Sequence, residues 1–303
     1  MSLEFSLLAT APAEVETACL VVGAYAGGMF TPAAAALDHA SGGFLRAAID
    51  SGDIDGKAGA STTLLALPGV AARRVVVVGL GEEAKFDAAG FRRACTVAAK
   101  ALGRLPVAEA VSALADIPVP GRDLAWRVRT AALASDHAAY RYTATFKPRA
   151  AATRPELATL RFLAAASAQA ALDQAGAIAR GVRFARELAN LPPNICTPAY
   201  IAAQAQAFAD AHDQVDCRVL EEAELERLGF GSLLAVARGS ANRPRLIALE
   251  YHGGTPGTAP YALVGKGVTF DTGGISLKPG AGMNEMKFDM GGAAGVMGAF
   301  VAA

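Results

Sequence analysis

The chain has 303 residues, and its 28 lysines and arginines balance its 28 aspartates and glutamates. A hydrophobic content of 53% with only 18% charged residues excludes a disordered protein, and zero net charge gives no overall basic surface for nucleic acid. A length of this order predicts about two domains with buried cores. The longest apolar runs, residues 18–30 and 290–303, are shorter than the roughly 20 residues of a spanning helix. We therefore expect no membrane association.

The cysteines and the N-terminus point to the same cell compartment. The four cysteines show no CxxC spacing, and a chain of this size needs no disulfide framework. The first basic residue is Arg46, so the N-terminus lacks the positive region of a secretory signal. We expect free thiols, buried or partly buried, in a cytoplasmic protein; they are Cys19, Cys95, Cys196 and Cys217.

The first half of the chain alternates between strand and helix patterns. Thr31 and Pro32 supply an N-cap and a first-turn proline for a helix that the glycines at 42 and 43 interrupt or end. The unbroken valine run at 75–78 predicts a strand buried on both faces, as in a sheet covered by helices. This half is therefore typical of an α/β domain. Strands are predicted at 19–25, 61–67, 74–80 and 157–163, and helices at 86–102 and 123–142.

A Gly-Leu-Gly sequence at residues 79–81 follows one of these strands. It lacks the third glycine of a dinucleotide-binding motif and the lysine of a P-loop. An ordinary strand-to-helix turn is therefore the favoured interpretation, and a nucleotide or anion site is the alternative.

The second half begins with a long helix, predicted at residues 167–189, which ends at the two prolines of the 190–194 segment. Thr197 and Pro198 then begin a helix that continues to residue 211. This order predicts a second α/β domain with a mostly parallel sheet. Further strands are predicted at 215–220, 245–251 and 261–266, and a helix at 291–303.

Charged side chains and glycines are concentrated between residues 264 and 294. Lys266 ends an apolar strand pattern, and Asp271, Lys278 and Asp289 follow among glycines. Ligands bind at strand ends in α/β sheets, and carboxylate oxygens suit divalent cations. A lysine ligates a metal only as a neutral amine, a form that a neighbouring dication favours. The residue types alone leave three alternatives: a metal site, salt-bridged Lys–Asp pairs, or a phosphate cradle.

The order of these residues resembles a known family. The string Lys-Gly-Val-Thr-Phe-Asp-Thr-Gly-Gly-Ile-Ser-Leu-Lys, from Lys266 to Lys278, is similar to the metal-binding core of the leucyl aminopeptidases. So is the later Met-Lys-Phe-Asp-Met-Gly-Gly-Ala-Ala run, which ends at Ala294. These are cytosolic two-metal exopeptidases, also called aminopeptidase A in bacteria. Residues 186–303 resemble the family closely, and the remainder of the chain does so loosely.

The resemblance implies a role for each of five side chains. Lys266 would coordinate the tighter-bound metal through its amine, and Asp271 would bridge two divalent ions. Asp289 would complete the tighter site and meet the free α-amine of the substrate. Lys278 would be the catalytic lysine, binding the substrate and polarising its scissile carbonyl. Met286 would line the pocket for the first side chain, with plain core packing as the alternative interpretation.

The resemblance also implies a fold and an activity. The fold is α/β with two domains: an N-terminal α/β (macro-like) domain at 1–165, a linker helix at 166–190, and a partial catalytic α/β metallopeptidase domain at 191–303. The activity is that of a metal-dependent leucyl aminopeptidase, which removes N-terminal, preferably apolar, amino acids from peptides through a hydroxide activated by two metal ions, Zn or Mn. The family further implies a cytoplasmic homo-hexamer.

One expected part of the family pattern is absent from this sequence. The Asn-Thr-Asp-Ala-Glu-Gly-Arg motif, which carries the remaining metal-binding carboxylates and the arginine that works with a bound bicarbonate, does not occur. We therefore expect a catalytic domain cut short at residue 303 and a chain that is inactive alone. The alternatives are a non-catalytic scaffold or regulatory paralogue, and an additional DNA-binding role, which zero net charge does not support.

The remaining conspicuous side chains are interpreted as structural. The four histidines have no metal-binding spacing and are expected to be surface or hydrogen-bonded residues. Trp126 is predicted to pack on a helix, and the glutamates of 221–226 to form the solvated start of a helix. The histidines are His39, His137, His212 and His252.

Overall fold

A computed structural model of the chain describes residues 3–147 and 154–303. The chain divides into two compact units. The N-terminal unit comprises Met1–Arg141 and Phe146–Ala179, and the C-terminal unit comprises Tyr142–Thr145 and Arg180–Ala303. The division between the units falls inside a helix, after Ala179. This position lies between residues 165 and 190, where the sequence predicts the domain boundaries. Those boundaries stay a prediction.

A six-stranded sheet forms the centre of the N-terminal unit. Its strands are β1 (Glu4–Leu8), β2 (Leu20–Ala24), β3 (Ser61–Leu65), β4 (Arg74–Gly79), β5 (Glu109–Ser112) and β6 (Thr159–Leu163). The strand order is β1-β6-β5-β2-β4-β3, and every neighbouring pair is parallel except β3 with β4. Parallel strands are normally covered by helices on both faces.

β4 is buried on both faces, as its valine run predicted, and the neighbouring β2 is buried on both faces as well. Val21 and Val76 pack on one side with α3 (Ala88–Leu102) and α4 (Leu124–Ala139). Leu20 and Val75 pack on the other side with α1 (Pro32–Ala40) and α2 (Phe44–Asp50). Alternate side chains of a strand point to opposite faces, so these two strands supply both core layers of a helix–sheet–helix arrangement.

Helix starts in both units follow short-range sequence signals. Thr31 Oγ1 accepts a hydrogen bond from the Ala34 amide at the start of α1. Asp123 Oδ1 accepts one of 2.7 Å from the Trp126 amide at the start of α4. Each cap satisfies an amide that the first helical turn leaves unpaired. The predicted caps at Thr31 and Thr197 are therefore confirmed.

The C-terminal unit contains helices around a small sheet. The elements are the second half of α5 (Gln169–Asn190), α6 (Pro198–Asp210), β7 (Val215–Leu220), α7 (Glu222–Arg227), α8 (Gly231–Ala237), β8 (Leu246–Tyr251) and α9 (Gly291–Ala302). Leu188, Ile201, Met290 and Met297 belong to its buried core. α7 begins at the predicted run of glutamates.

Two predictions for the C-terminal unit are wrong. β7 and β8 form an antiparallel pair, not a mostly parallel sheet. The apolar segment 261–266 forms no strand within the described residues, and the side chains of Tyr261 and Val264 are 101% and 94% exposed. An apolar, β-branched sequence favours a strand, but its backbone needs a neighbouring strand for hydrogen bonds. No described residue provides that neighbour.

The side chains interpreted as structural behave as predicted. The four cysteines are free; three are buried, and Cys217 is half-buried. All four histidines are exposed. Trp126 packs against the Phe91 ring at 5.7 Å between centroids, with the guanidinium groups of Arg92 and Arg122 over its indole. Among residues 3–147 and 154–303, no helix combines the length and apolar character needed to cross a bilayer.

Candidate active site

Four of the predicted site residues form two ion pairs in the C-terminal unit. Lys266 Nζ lies 2.6 Å from Asp289 Oδ1, and Lys278 Nζ lies 3.2 Å from Asp271 Oδ2. The four residues, which are spread over 24 positions of sequence, are called the ion-pair cluster below. The salt-bridged Lys–Asp pairs left open by the residue types are observed, and the roles as metal ligands stay predictions.

A close backbone crossing positions Lys266. A Cβ atom added to Gly265 would lie 2.4 Å from the carbonyl oxygen of Gly292, so only glycine fits there. The Ala293 amide, in the first turn of α9, donates a 2.8 Å hydrogen bond to the Lys266 carbonyl. These contacts hold Lys266 at the start of α9, beside Asp289, which precedes that helix by two residues.

A tight turn brings Asp271 and Lys278 together. The Lys278 amide donates to the Thr272 carbonyl at 3.0 Å, and Gly273 pairs with Leu277 in an isolated antiparallel bridge. The Gly273 amide also donates a 2.8 Å hydrogen bond to Asp271 Oδ1. The glycines thus reverse the chain after Asp271, and the reversal returns Lys278 to the Asp271 carboxylate.

The surroundings of Asp271 favour its ionised form. The amide of Gly273 is the main cause that lowers the pKa of this carboxyl, followed by the hydrogen bond from Lys278. Hydrogen bonds and positive charges both stabilise a carboxylate. Asp271 therefore presents a full negative charge at neutral pH.

Asp289 has one oxygen that the described residues do not satisfy. The side chain is 18% exposed, and its Oδ1 atom accepts from Lys266. Its Oδ2 atom is buried, and no hydrogen bond from the described residues reaches it. A buried carboxylate oxygen without a partner is costly. A cation at this oxygen would remove that cost.

Met286 and Lys287 lie on the 3₁₀ turn Met283–Phe288 that leads to Asp289. Met286 is half-buried, and its carbonyl accepts a 3.1 Å hydrogen bond from the Asp289 amide. It is not one of the buried core residues among the described part of the chain, and its role in a substrate pocket stays a prediction.

Lys287, which the sequence analysis did not single out, makes two contacts near the candidate site. Its ammonium lies 3.5 Å from the carbonyl oxygen of Asn190, the last residue of α5, and 4.7 Å from the centroid of the Phe288 ring. Cations stabilise the C-terminal end of a helix. The hydrogen bond ties the turn before Asp289 to the end of α5. The one available signal was the position of Lys287 inside the recognised run.

The Gly-Leu-Gly sequence of the N-terminal unit borders a shallow cleft of about 490 Å³. The amides of Leu80 and Gly81 already donate to backbone carbonyls. The two lysines of the cleft are paired, Lys57 with Asp55 at 3.1 Å and Lys85 with Glu82 at 2.8 Å. These contacts fit the favoured interpretation of an ordinary strand-to-helix turn.

The donors of the C-terminal cluster are few. Within residues 3–147 and 154–303, no three side chains of the His, Cys, Asp and Glu types come together as a metal site. The cluster offers two carboxylates, Asp271 and Asp289, and the amine of Lys266. Zinc normally takes four ligands, so this set is partial for two ions.

Comparison with known proteins decides the family. One family, described as the cytosol aminopeptidase family, matches the chain with its N-terminal domain over residues 21–147 and with its catalytic domain over residues 183–303. The chain belongs to the cytosol aminopeptidase family. The two matched regions confirm the predicted resemblance and the predicted α/β fold with two domains.

Curated relatives match over the whole of this chain. The probable cytosol aminopeptidase of Stenotrophomonas maltophilia is 53% identical over 304 residues, which cover 100% of this chain and 61% of the relative. The probable cytosol aminopeptidase of Xanthomonas campestris pv. campestris is 51% identical over 303 residues, with 100% and 60% covered. This member of the family thus spans about three fifths of the length of these relatives.

Solved structures of similar proteins share the fold. A mutant of tomato leucine aminopeptidase superposes with a TM-score of 0.77 at 28% identity, over 99% of this chain and 59% of that one. The bottromycin maturation enzyme BotP in complex with Mn superposes with a TM-score of 0.73 at 32% identity, over 94% and 56% of the two chains. The family fold is thus present in both units of the chain.

Proposed function

We propose that this chain provides part of a metal-dependent leucyl aminopeptidase, which removes N-terminal, preferably apolar, amino acids from peptides. The observation that carries the proposal is the pairing of Lys266 with Asp289 and of Lys278 with Asp271. These are the residues to which the family string assigns metal binding and catalysis. The family membership of the chain supports the same activity.

The proposed cofactors are two divalent ions, Zn or Mn, held by Lys266, Asp271 and Asp289. The buried, unpartnered Oδ2 atom of Asp289 and the ionised carboxylate of Asp271 support this set. Oxygen and amine donors suit such borderline cations. When bound, the ions would supply an activated water and a Lewis acid next to the scissile carbonyl. The similar enzyme BotP, solved in complex with Mn, supports the choice of a divalent ion.

Lys266 must change protonation state to act as a ligand. In its present contact the ammonium donates to Asp289 Oδ1 at 2.6 Å. A metal ligand needs the neutral amine, so metal binding at this position would release one proton from Nζ. It would also free Oδ1 of Asp289 for the ion or for the substrate.

Lys278 would act on the substrate carbonyl. Its ammonium is half-exposed and bound to Asp271 at 3.2 Å, so one side of it faces solvent or a ligand. A fixed positive charge near the carbonyl oxygen stabilises the negative charge that develops there during attack. Lys278 holds its proton throughout this step.

The exopeptidase character would come from Asp289. Its carboxylate would bind the free α-amine of a peptide, a group that an internal peptide bond does not offer. Met286, on the preceding turn, would contact the first side chain of the substrate. A flexible thioether suits apolar side chains of varied shape.

We also propose that the protein acts in the cytoplasm as a homo-hexamer on peptide substrates. The names of the relatives, cytosol aminopeptidases, support the location. Family resemblance supports the hexamer. The arginine that works with a bound bicarbonate in the family pattern does not occur in this sequence.

The test compares two lengths of the protein. Hydrolysis of leucine p-nitroanilide is measured with Mn²⁺, with Zn²⁺ and with a chelator, for the 303-residue chain and for a form extended by the residues that the relatives carry outside the match. We expect metal-dependent turnover by the extended form alone, because the donors in this chain are a partial set. No turnover by the extended form contradicts the proposed function and favours a non-catalytic scaffold. Robust turnover by the 303-residue chain would contradict the inference that it carries only part of the metal-binding donors.

A substitution then tests the catalytic role of Lys278. In the extended form, Lys278→Met is expected to lower kcat about 10²- to 10³-fold, the usual effect of removing one transition-state donor. Lys100→Met, at an exposed lysine of α3, is the matched control and is expected to leave kcat unchanged. Equal activity of the two variants would remove Lys278 from the catalytic step.

A further inference from the structure

The 3₁₀ turn Met283–Phe288 has little of its own to hold it in place. All of its residues are partly or fully exposed. Its backbone hydrogen bonds are local: the Glu285 amide donates to the Gly282 carbonyl at 3.0 Å, and the Asp289 amide donates to the Met286 carbonyl at 3.1 Å. Hydrogen bonds in 3₁₀ turns have poor geometry. The position of the turn therefore depends on its contacts with other elements.

Lys287 makes such a contact. Its ammonium lies 3.5 Å from the carbonyl oxygen of Asn190, the last residue of α5, which is 97 positions away in the sequence. This distance is at the long end of the hydrogen-bond range. The attraction is strengthened by charge, because the C-terminal end of a helix carries a partial negative charge. Lys287 therefore attaches the turn to the end of α5.

The sequence after α5 explains why a side chain donates to this carbonyl. Carbonyls in the last turn of a helix lack the intrahelical amide donors of the preceding turns. A 3₁₀ turn would close on the Asn190 carbonyl through the amide of residue 193, but Pro193 has no N–H. The amides of Ile195 and Cys196 both donate to the Pro192 carbonyl at 2.9 Å. A lysine is a common cap for a helix end of this kind.

Asp289 is fixed on both sides along the chain. Two residues before it, Lys287 contacts the end of α5. One residue after it, Met290 is fully buried in the core cluster to which α5 contributes Leu188. Both attachments involve the C-terminal half of α5. They hold the carboxylate where Lys266 Nζ reaches its Oδ1 atom at 2.6 Å.

We propose that Lys287 is a positioning residue of the candidate active site. It holds Asp289 and Met286, the residues to which the proposed function assigns the α-amine and the first side chain of the substrate. Lys287 acts through the turn that carries both residues and not by touching the substrate. Its effect on catalysis rests on the proposed function, whereas its effect on the turn rests on the contact with α5 alone.

A purely electrostatic role of Lys287 predicts the opposite effect on metal binding. Lys287 lies two positions from Asp289, a proposed metal ligand, so removal of its positive charge would favour a nearby cation. Loss of the anchor would weaken metal binding instead, because groups that orient a ligand control its affinity for the metal. The sign of the change in Mn²⁺ affinity therefore separates the two roles.

The first test compares Lys287→Met and Lys287→Arg in the extended form of the protein. Calorimetry with Mn²⁺ is expected to show binding about tenfold weaker for Lys287→Met. With Mn²⁺ saturating, KM for leucine p-nitroanilide should rise about threefold to tenfold while kcat stays close to that of the parent, the pattern of lost ground-state binding. Lys287→Arg keeps a charged donor for the Asn190 carbonyl and should restore both constants.

Two further variants complete the set. Glu285→Gln changes an exposed side chain of the same turn and is the matched control, which is expected to leave Mn²⁺ affinity and KM unchanged. If Lys287→Met does not fold, Lys287→Gln, which also removes the charge, takes its place.

The second test needs no activity and uses the 303-residue chain. The Asp289 amide donates to the Met286 carbonyl, and the Ala293 amide donates to the Lys266 carbonyl. Hydrogen exchange at these two amides is expected to become about threefold to tenfold faster in Lys287→Met and to stay as in the parent in Lys287→Arg. Amides of β2 and β4 serve as the internal reference and should not change.

Three results would overturn the proposal. The first is unchanged exchange at Asp289 and Ala293 in Lys287→Met. The second is Mn²⁺ binding by Lys287→Met that is as tight as in the parent, or tighter, which would reveal a charge effect. The third is a raised KM that Lys287→Arg does not restore. An extended parent without turnover would contradict the proposed function alone, because exchange in the 303-residue chain still decides whether Lys287 holds the turn.

Discussion

Burial controls the chemistry of individual thiols in this protein. Removal from water raises the pKa of Cys19 to about 12, and burial raises the pKa of Cys95 as well. The neutral thiol is the favoured form in an apolar environment, whereas the thiolate is the nucleophile. Both residues should therefore be unreactive while the N-terminal unit is folded.

We predict that a thiol reagent such as DTNB, at about pH 8, labels Cys217 first. Cys217 is half-buried, whereas Cys19, Cys95 and Cys196 are buried. Burial and the charge of Asp210 raise the pKa of Cys217 as well, so its labelling should still be slower than that of a free thiol. Peptide mapping after short exposure checks the order. Early labelling of Cys95 in the native chain would contradict it, and in concentrated denaturant all four should react alike.

The candidate site was predictable at the level of residue type but not of pairing. The family string points to Lys266, Asp271, Lys278 and Asp289, and the structure places them in two ion pairs, while their roles in catalysis stay predictions. The string did not indicate that Lys266 would pair with Asp289, 23 positions away, instead of with the nearer Asp271. That choice depends on the close crossing of Gly265 over the start of α9, a tertiary contact that local sequence does not encode.

At the scale of elements, strand prediction was correct for the strands whose side chains are buried on both faces of the sheet. β2 and β4 are short apolar runs whose partners lie within the same unit, so pattern and structure agree. β1 and β5 were missed, because β1 is an edge strand with a mixed pattern and β5 is the four-residue Glu-Ala-Val-Ser. The segment 261–266 was predicted as a strand but does not form one, because no described residue pairs with its backbone even though its sequence is typical of a strand. Strand formation depends on neighbours that sequence patterns do not reveal.

The cap of α4 gives the first element-scale prediction. Asp123→Ala removes the acceptor for the Trp126 amide, which lies 2.7 Å from Asp123 Oδ1. Losing an N-cap of this kind costs about 1 kcal/mol in the free energy of unfolding. Urea titration followed by the fluorescence of Trp126, the one tryptophan of the chain, measures it. Asp123→Asn keeps an acceptor and should lose much less; equal losses for the two variants would contradict the cap.

Helix packing in the C-terminal unit gives a second element-scale prediction, from two glycines of α9. A Cβ on Gly298 would lie 2.6 Å from the Gly181 carbonyl oxygen on α5, so Gly298→Ala should destabilise the unit by about 1–3 kcal/mol. Gly295 has no such neighbour, and Gly295→Ala should stabilise α9 by about 0.5–1 kcal/mol through helix propensity. Hydrogen exchange of the α9 amides measures both. Effects of the same sign would show that α5 and α9 do not approach this closely.

At the scale of the whole molecule, the two units differ in how much core they bury. Among the described residues, the two core layers of the N-terminal unit contain 26 and 17 buried apolar side chains, and the core of the C-terminal unit contains eight. Burial of apolar surface is the main favourable term in folding. Residues 261–277 of the C-terminal unit also leave apolar side chains exposed, among them Tyr261, Val264 and Ile275. The C-terminal unit should therefore be the less stable of the two.

We predict that urea unfolds the chain in two steps. Far-ultraviolet circular dichroism should lose part of its helical signal first, while the fluorescence of Trp126, which packs on Phe91 in the N-terminal unit, changes only in the second step. Two-state behaviour is the rule for single domains and fails for chains with unequal domains. The element-scale variants assign the steps, because Gly298→Ala should shift only the first midpoint and Asp123→Ala only the second. Coincident transitions, or one variant that moves both midpoints together, would mean that the units unfold as one cooperative body despite their unequal cores.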